Sequence, residues 1–164
     1  PTDRFHADLL GQEDFIFQMI EETLATKPTQ SIFGVVHFDL HPHNLLTNGE
    51  AVTAILDFDS LRYLECPRAL AFALHRLARQ YVIYNQRTDY PLTVPEAKKI
   101  FFDGYRSTHT LNEAEISSIP YFIRDEALCR LTYAMKDQYF NDNSAWRQDL
   151  PKQTAKLAEA VYFE

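Results

Sequence analysis

Glycine is scarce in this chain: four residues in 164, at positions 11, 34, 49 and 104. Scattered singly, they build no glycine-rich phosphate loop and no Walker sequence, and no strand lysine with a helix glutamate partner precedes residue 37. Cysteine is scarcer still. Cys66 and Cys129 are too few and too far apart for a disulfide scaffold or a metal knuckle, and read as small apolar core residues. No apolar run approaches the roughly 20 residues needed to span a bilayer, and the N-terminus lacks the basic and apolar regions of a signal peptide, so a cytoplasmic, membrane-free protein is expected. Positive charge is in deficit. A formal net charge of −7 leaves no general basic face for nucleic acid, although local basic residues can hold a single phosphate.

What is present is ordinary for a globular domain: 46% hydrophobic, 24% charged and 13% aromatic residues. A length of 164 residues suits one domain with a proper core and hardly two. The chain opens Pro1-Thr2-Asp3 without an initiating Met, which fits either processing or a piece of a longer protein.

Phe15, Ile16, Met19, Ile20 and Leu24 recur at helical spacing over Glu13 to Ala25. Ile32 to Val36 reads as the end of a buried strand. Leu45-Leu46-Thr47 and Val52 to Leu56 flank Asn48-Gly49, a pair that tolerates positive φ and predicts a hairpin. That hairpin sets Asn44 opposite residues 53 to 56 and brings Asp57 to the same end. Leu70, Leu74, Leu77 and Tyr81 predict a buried helix to about Tyr84, with Pro67 near its first turn. Thr93 with Glu96, and Asn112 with Glu115, read as helix starts. Ile123, Ala127, Leu131 and Met135 mark a long helix, and Asp149 reads as the cap of a last one carrying Leu157, Ala160 and Val161. The expected fold class is α+β, predominantly helical, with a small β-hairpin carrying a polar loop.

That loop concentrates the chemistry. His37-Phe38-Asp39-Leu40-His41-Pro42-His43-Asn44 is followed across the hairpin by Asp57-Phe58-Asp59. Phosphate transfer to a hydroxyl requires a carboxylate to orient and accept the proton, and hard oxygen ligands for magnesium on the nucleotide phosphates. Asp39 supplies the first, and Asn44 and Asp57 the second. His37 is expected to hydrogen-bond the loop backbone, and Asp59 to assist by a hydrogen bond or a second metal contact.

GVVHFDLHPHNLL followed by AILDFD resembles the aminoglycoside phosphotransferase and choline kinase family of kinase-like enzymes, whose usual form is HGDLHPGN and then an apolar stretch ending in IDF. The resemblance is specific over about residues 33 to 75. It implies Asp39 as catalytic base, Asn44 and Asp57 as Mg2+ ligands, ATP as donor, and a small molecule with a hydroxyl as acceptor. His41, where a protein kinase would usually have Lys, favours the small-molecule branch. Phe38 and His43 stand where the family usually has Gly, and Leu70 where it has a second aspartate. In that family a β-rich nucleotide-covering lobe precedes the catalytic loop, and 36 residues before His37 are too few for it. Residues 1–164 are therefore expected to form one domain, the helical C-terminal lobe of a kinase-like phosphotransferase, inactive without its N-terminal lobe.

Acceptor-binding candidates on the helical lobe are Asp125, Glu126, Tyr133 and Trp146, although Asp125 and Glu126 also fit a solvated helix face, Tyr133 a core or boundary position and Trp146 a lid over helix ends. Arg68, Arg76 and Arg79 could hold a phosphate, but fit an exposed basic face better. Two other functions compete: a metal-dependent hydrolase using His37, Asp39, His41 and His43 as ligands, and a non-catalytic kinase-like interaction domain.

Overall fold

The computed structural model describes residues 10–84, 92–141 and 149–163. Helix α1 spans Glu13–Ala25. Four short strands follow: β1 Phe33–His37, β2 Leu45–Thr47, β3 Val52–Ile55 and β4 Leu61–Glu65. The rest is helical: α2 Cys66–Tyr84, α3 Val94–Arg106, α4 Glu113–Ser117, α5 Ile119–Phe140 and α6 Asp149–Glu159. Short 3₁₀ turns stand at Pro42–Asn44, Phe58–Ser60 and Ala160–Phe163. Among the described residues no helix is long and apolar enough to cross a membrane.

Local signals set the boundaries. Thr93 and Asn112 each accept a hydrogen bond from the backbone three residues on, and the Glu96 and Glu115 carboxylates accept one from the backbone N–H of the cap, so both capping boxes are complete. Asp149 is the first residue of α6 rather than the cap before it. Val161 lies exposed in the turn that follows, while Leu157 and Ala160 are buried.

The core is where helices cross. Leu74 of α2 meets Ile119, Phe122 and Ile123 of α5, with Phe102 of α3 and Phe163 closing the cluster. Met19 of α1 packs in a second cluster with Ala127 and Leu157. Arg68 ties the start of α2 to α5: Nε donates to Glu65 at 2.9 Å and Nη1 to Asp125 at 2.6 Å, with the guanidinium over the Phe122 ring. Burial alone would raise the Glu65 carboxyl, but the hydrogen bond from Arg68, a backbone hydrogen bond and the Arg68 charge together outweigh it and leave Glu65 below the ordinary carboxylate range. Asp125 is thus half-buried in an ion pair, not part of a solvated face.

The strands form two separate antiparallel ribbons, β1 with β4 and β2 with β3. Here Ile32 to Val36 departs from expectation. Val35 is 71% exposed, and Ile32 and Phe33 are also open. A two-stranded ribbon has one covered face, and alternation turns Gly34 and Val36 inward and Phe33 and Val35 out. Gly34 is there because α2 approaches closely: a Cβ would sit 3.0 Å from the Cys66 Sγ. Neither cysteine is a core residue, since Cys66 is half-buried and Cys129 exposed.

Candidate active site

The β2–β3 hairpin sets the geometry. Asn48 accepts from the backbone of Glu50 and Ala51, and Gly49 takes φ 96°, so the turn closes where the sequence placed it. Leu45 pairs with Ile55, and the Leu56 N–H donates to the Asn44 carbonyl at 2.9 Å. Asp57 is the next residue, which puts it beside Asn44 at the hairpin's open end.

His37 locks the two halves together. The Asp39 N–H donates to its Nδ1 at 3.3 Å, so the proton resides on Nε2, which donates to the Leu56 carbonyl at 2.8 Å. One ring thereby fixes the backbone of both the Asp39 loop and the residue before Asp57. His37→Ala is expected to cost about 1–2 kcal/mol, because two backbone groups lose their partner. A urea midpoint unchanged from wild type would remove His37 from that role.

The Asp39 carboxylate is held on one side. His41 Nδ1 accepts from the His43 N–H at 3.3 Å, which leaves its Nε2–H to face Asp39 Oδ2 at 3.3 Å. Asn44 Nδ2 donates to the Asp39 carbonyl at 2.8 Å and lies 3.4 Å from the same Oδ2. Asp39 Oδ1 is the oxygen left for a ligand. In Asn44 the amide nitrogen is engaged, so Oδ1 is the atom free to bind a cation.

Asp57 takes φ 62°, ψ 52°, the left-handed region, and is the one non-glycine residue at positive φ among those described. Ser60 Oγ donates to its Oδ2 at 2.9 Å. Asp59 is exposed, with its carbonyl rather than its carboxylate engaged, by Arg62. An amide oxygen and a carboxylate are hard donors of the kind Mg2+ prefers, and Mg2+ retains waters and needs few protein ligands. Asn44 and Asp57 carry donors of that kind. The histidines do not assemble a zinc site: His37 and His41 turn their ring nitrogens to other partners, and among the described residues no group of three or more His, Cys, Asp or Glu could hold a metal.

The remaining acceptor candidates separate. Glu126 is half-buried and binds Arg130 at 2.6 Å, so it is not a solvated face residue. With the exposed Tyr133 it lines a cleft under Phe38. Asp125 belongs to the Arg68 ion pair. Trp146 lies outside the described residues.

Sequence reasoning missed the cavity on the other side of Asp39. It has a volume of about 200 Å3, and Asp39, His41 and Phe72 meet there with Arg76, Arg130 and Lys156. Arg76 and Arg79, read as an exposed basic face, are half-buried at its wall. Arg79 binds Glu159, which His75 also contacts. Burial holds the His75 imidazole down at about 4. The signal in the sequence was faint: Phe72 and Arg76, and Lys152 and Lys156, are each one helical turn apart.

Lys156 is 7% exposed, and burial, with Arg130, Arg76 and Lys152 nearby, lowers its ammonium to about 8 against the pull of Glu126. A lysine that loses its proton more readily when folded destabilises the fold while charged. Stability should therefore rise with pH from about 8 to 10.5, by about 3 kcal/mol in total. Lys156→Met removes that dependence and is expected to be more stable than wild type at pH 7. Equal slopes of urea midpoint against pH in the two proteins would contradict it.

Comparison with known proteins gives three findings. The model of the phosphotransferase enzyme family matches residues 3–64. Several proteins named homoserine kinase are similar. That of Rhizobium johnstonii is 29% identical over 118 residues, covering 72% of this chain and 34% of the relative. That of Allorhizobium ampelinum is 30% identical over 95 residues, 58% of this chain and 27% of the relative. That of Rhodopseudomonas palustris is 25% identical over 154 residues, 94% of this chain and 44% of the relative. The chain thus spans about a third of the length of the first curated relatives it matches. No solved structure matches it.

Proposed function

We propose that the chain is a member of the phosphotransferase enzyme family whose model matches its residues 3–64, and that it is the helical catalytic lobe of an ATP-dependent kinase acting on a small hydroxylated molecule. The observation that carries this reading is the join between the two chain segments: Asn44 donates to Asp39, and the hairpin register sets Asp57 beside Asn44. A proton acceptor and two oxygen ligands then share one end of the β element.

The acceptor hydroxyl donates to Asp39 Oδ1, and its oxygen attacks the γ-phosphorus as that proton passes to the carboxylate. The bond from the γ-phosphorus to the bridging oxygen breaks, and its electron pair leaves with ADP. His41 and Asn44 hold Oδ2 so that the accepting oxygen keeps its direction. Asn44 Oδ1 and the Asp57 carboxylate would hold Mg2+, which when bound neutralises charge on the nucleotide phosphates.

A nucleotide-covering lobe belongs to this reading as a partner supplied by sequence outside residues 1–164. Phe33, Val35 and Tyr63, exposed together on the β1–β4 ribbon, are the kind of apolar surface such a lobe covers. The relatives' name puts a homoserine-like amino alcohol first among acceptors. The test is ATP-dependent phosphate transfer by the complete protein to homoserine, choline, ethanolamine, aminoglycosides and sugars, followed by phosphorus NMR. Transfer to one hydroxyl class supports the proposal. No transfer to any of them, in a folded protein that binds Mg-ATP, would overturn it.

A further inference from the structure

The cavity beside Asp39 is walled mainly by positive charge. Five cationic side chains line it: Arg76 and Arg79 from α2, Arg130 from α5, and Lys152 and Lys156 from α6. The carboxylates that answer them are few. Glu126 is committed to Arg130, Glu159 to Arg79 and His75, and Asp39 stands at the mouth with His41. Lys156 is nine-tenths buried and stands over the Phe72 ring at 5.5 Å, as do Arg130 at 5.8 Å and Arg76 at 5.9 Å. Among the described residues, Lys156 has this ring contact and no hydrogen bond. Arg76 Nε is a buried donor without a partner, and Gln153, 1% exposed in the same wall, has an amide oxygen without one.

Three cations gathered on one aromatic ring repel one another, and their removal from water is costly. A cationic acceptor such as choline would add to that repulsion. An anion relieves it, accepting from the Arg76 donor and from Lys156 at once. Asp39 and His41 line the same cavity, so a ligand anchored there presents its other end to the proton acceptor.

We propose that this cavity is the acid-binding subsite of the acceptor: Arg76 and Lys156 take the carboxylate of a small hydroxy acid or hydroxy amino acid whose hydroxyl lies at Asp39. The proposal rests on the phosphotransferase reading above for the role of Asp39, and on the cavity alone for the anion. The cavity therefore selects acidic acceptors and rejects their neutral or cationic counterparts, a choice that neither the polar loop nor the hairpin makes.

The same charges could answer a phosphate of the nucleotide, and the test separates the two sources. Rates of the complete protein are measured with homoserine, its carboxamide and the same amino alcohol without its carboxylate, each against varied acceptor and varied ATP. Calorimetric binding of the three compounds and of inorganic phosphate is measured in parallel. Wild type should prefer the acid. Arg76→Met and Lys156→Met should each raise the acid's KM by about tenfold to a hundredfold, with kcat and the KM for ATP nearly unchanged, while Arg76→Lys and Lys156→Arg retain part of the preference. Calorimetric binding of the acid that both Met variants lose, without turnover of any acceptor, would uphold the subsite while ending the kinase reading. Equal use of the acid and its carboxamide by wild type would end the subsite while leaving the kinase. Binding of phosphate but not of the acid, or a rise in the KM for ATP alone, would assign the cavity to the nucleotide and overturn the proposal.

Discussion

Asp39→Asn is expected to fold as wild type does and to lose phosphate transfer by about 10²- to 10⁴-fold in kcat. The size follows from where the hydrogen bonds fall. His41 Nε2 and Asn44 Nδ2 both face Asp39 Oδ2, so in the variant the amide oxygen takes that position and its partners remain. The amide NH2 then occupies the place of Oδ1. A group that can only donate meets a hydroxyl that must give up its proton, and attack on phosphorus loses its acceptor. Because the shape is preserved, the KM for acceptor and for ATP should move little and the urea midpoint should stay within about 0.5 kcal/mol of wild type. Rapid-quench measurement of the chemical step in the complete protein decides it. Full turnover by Asp39→Asn would remove the residue from the reaction.

The polar loop and its hairpin were legible because their determinants are local. Asn48-Gly49 sets the turn, the turn sets the register, and the register puts Asn44 across from Leu56, within the stretch expected. Both capping boxes were readable for the same reason, each being four residues long. The exposure of Val35 was not. An apolar β-branched run has the same pattern whether a sheet is covered on one face or two, and the choice depends on what packs there. The basic cavity was the least legible part. Lys156 follows Asp39 by more than a hundred residues, and helical periodicity gives a helix its apolar stripe without naming the helix or loop it will meet. Arg76 and Arg79 have the spacing of an exposed face, and only the approach of α6 turns them into a wall. Asp125 shows the same limit from the other side: an acidic residue on a long helix reads as solvated until Arg68 arrives from α2.

Asp57 offers the second large effect, and its backbone makes the experiment clean. At φ 62° a side chain with a Cβ is held in the left-handed region, which Asp and Asn tolerate and Ala does not. Asp57→Ala should lose the Ser60 hydrogen bond and leave a strained backbone, at a cost of about 1 kcal/mol. Asp57→Gly loses the same bond but relieves the backbone, so its stability should equal or exceed that of the Ala variant. Activity should not follow stability. Both variants remove a carboxylate proposed to hold Mg2+, and several kcal/mol of charge stabilisation at the transferring phosphate should go with it, about 10³-fold or more in kcat. Asp57→Asn keeps the tolerated conformation and an oxygen ligand while giving up the negative charge. It should retain weak activity that rises with Mg2+ concentration well beyond where wild type saturates. Rates across a magnesium titration, set beside urea midpoints for all three variants, separate the two contributions. Recovery of turnover in Asp57→Gly would mean that the left-handed turn, not the carboxylate, is what the site needs from this position.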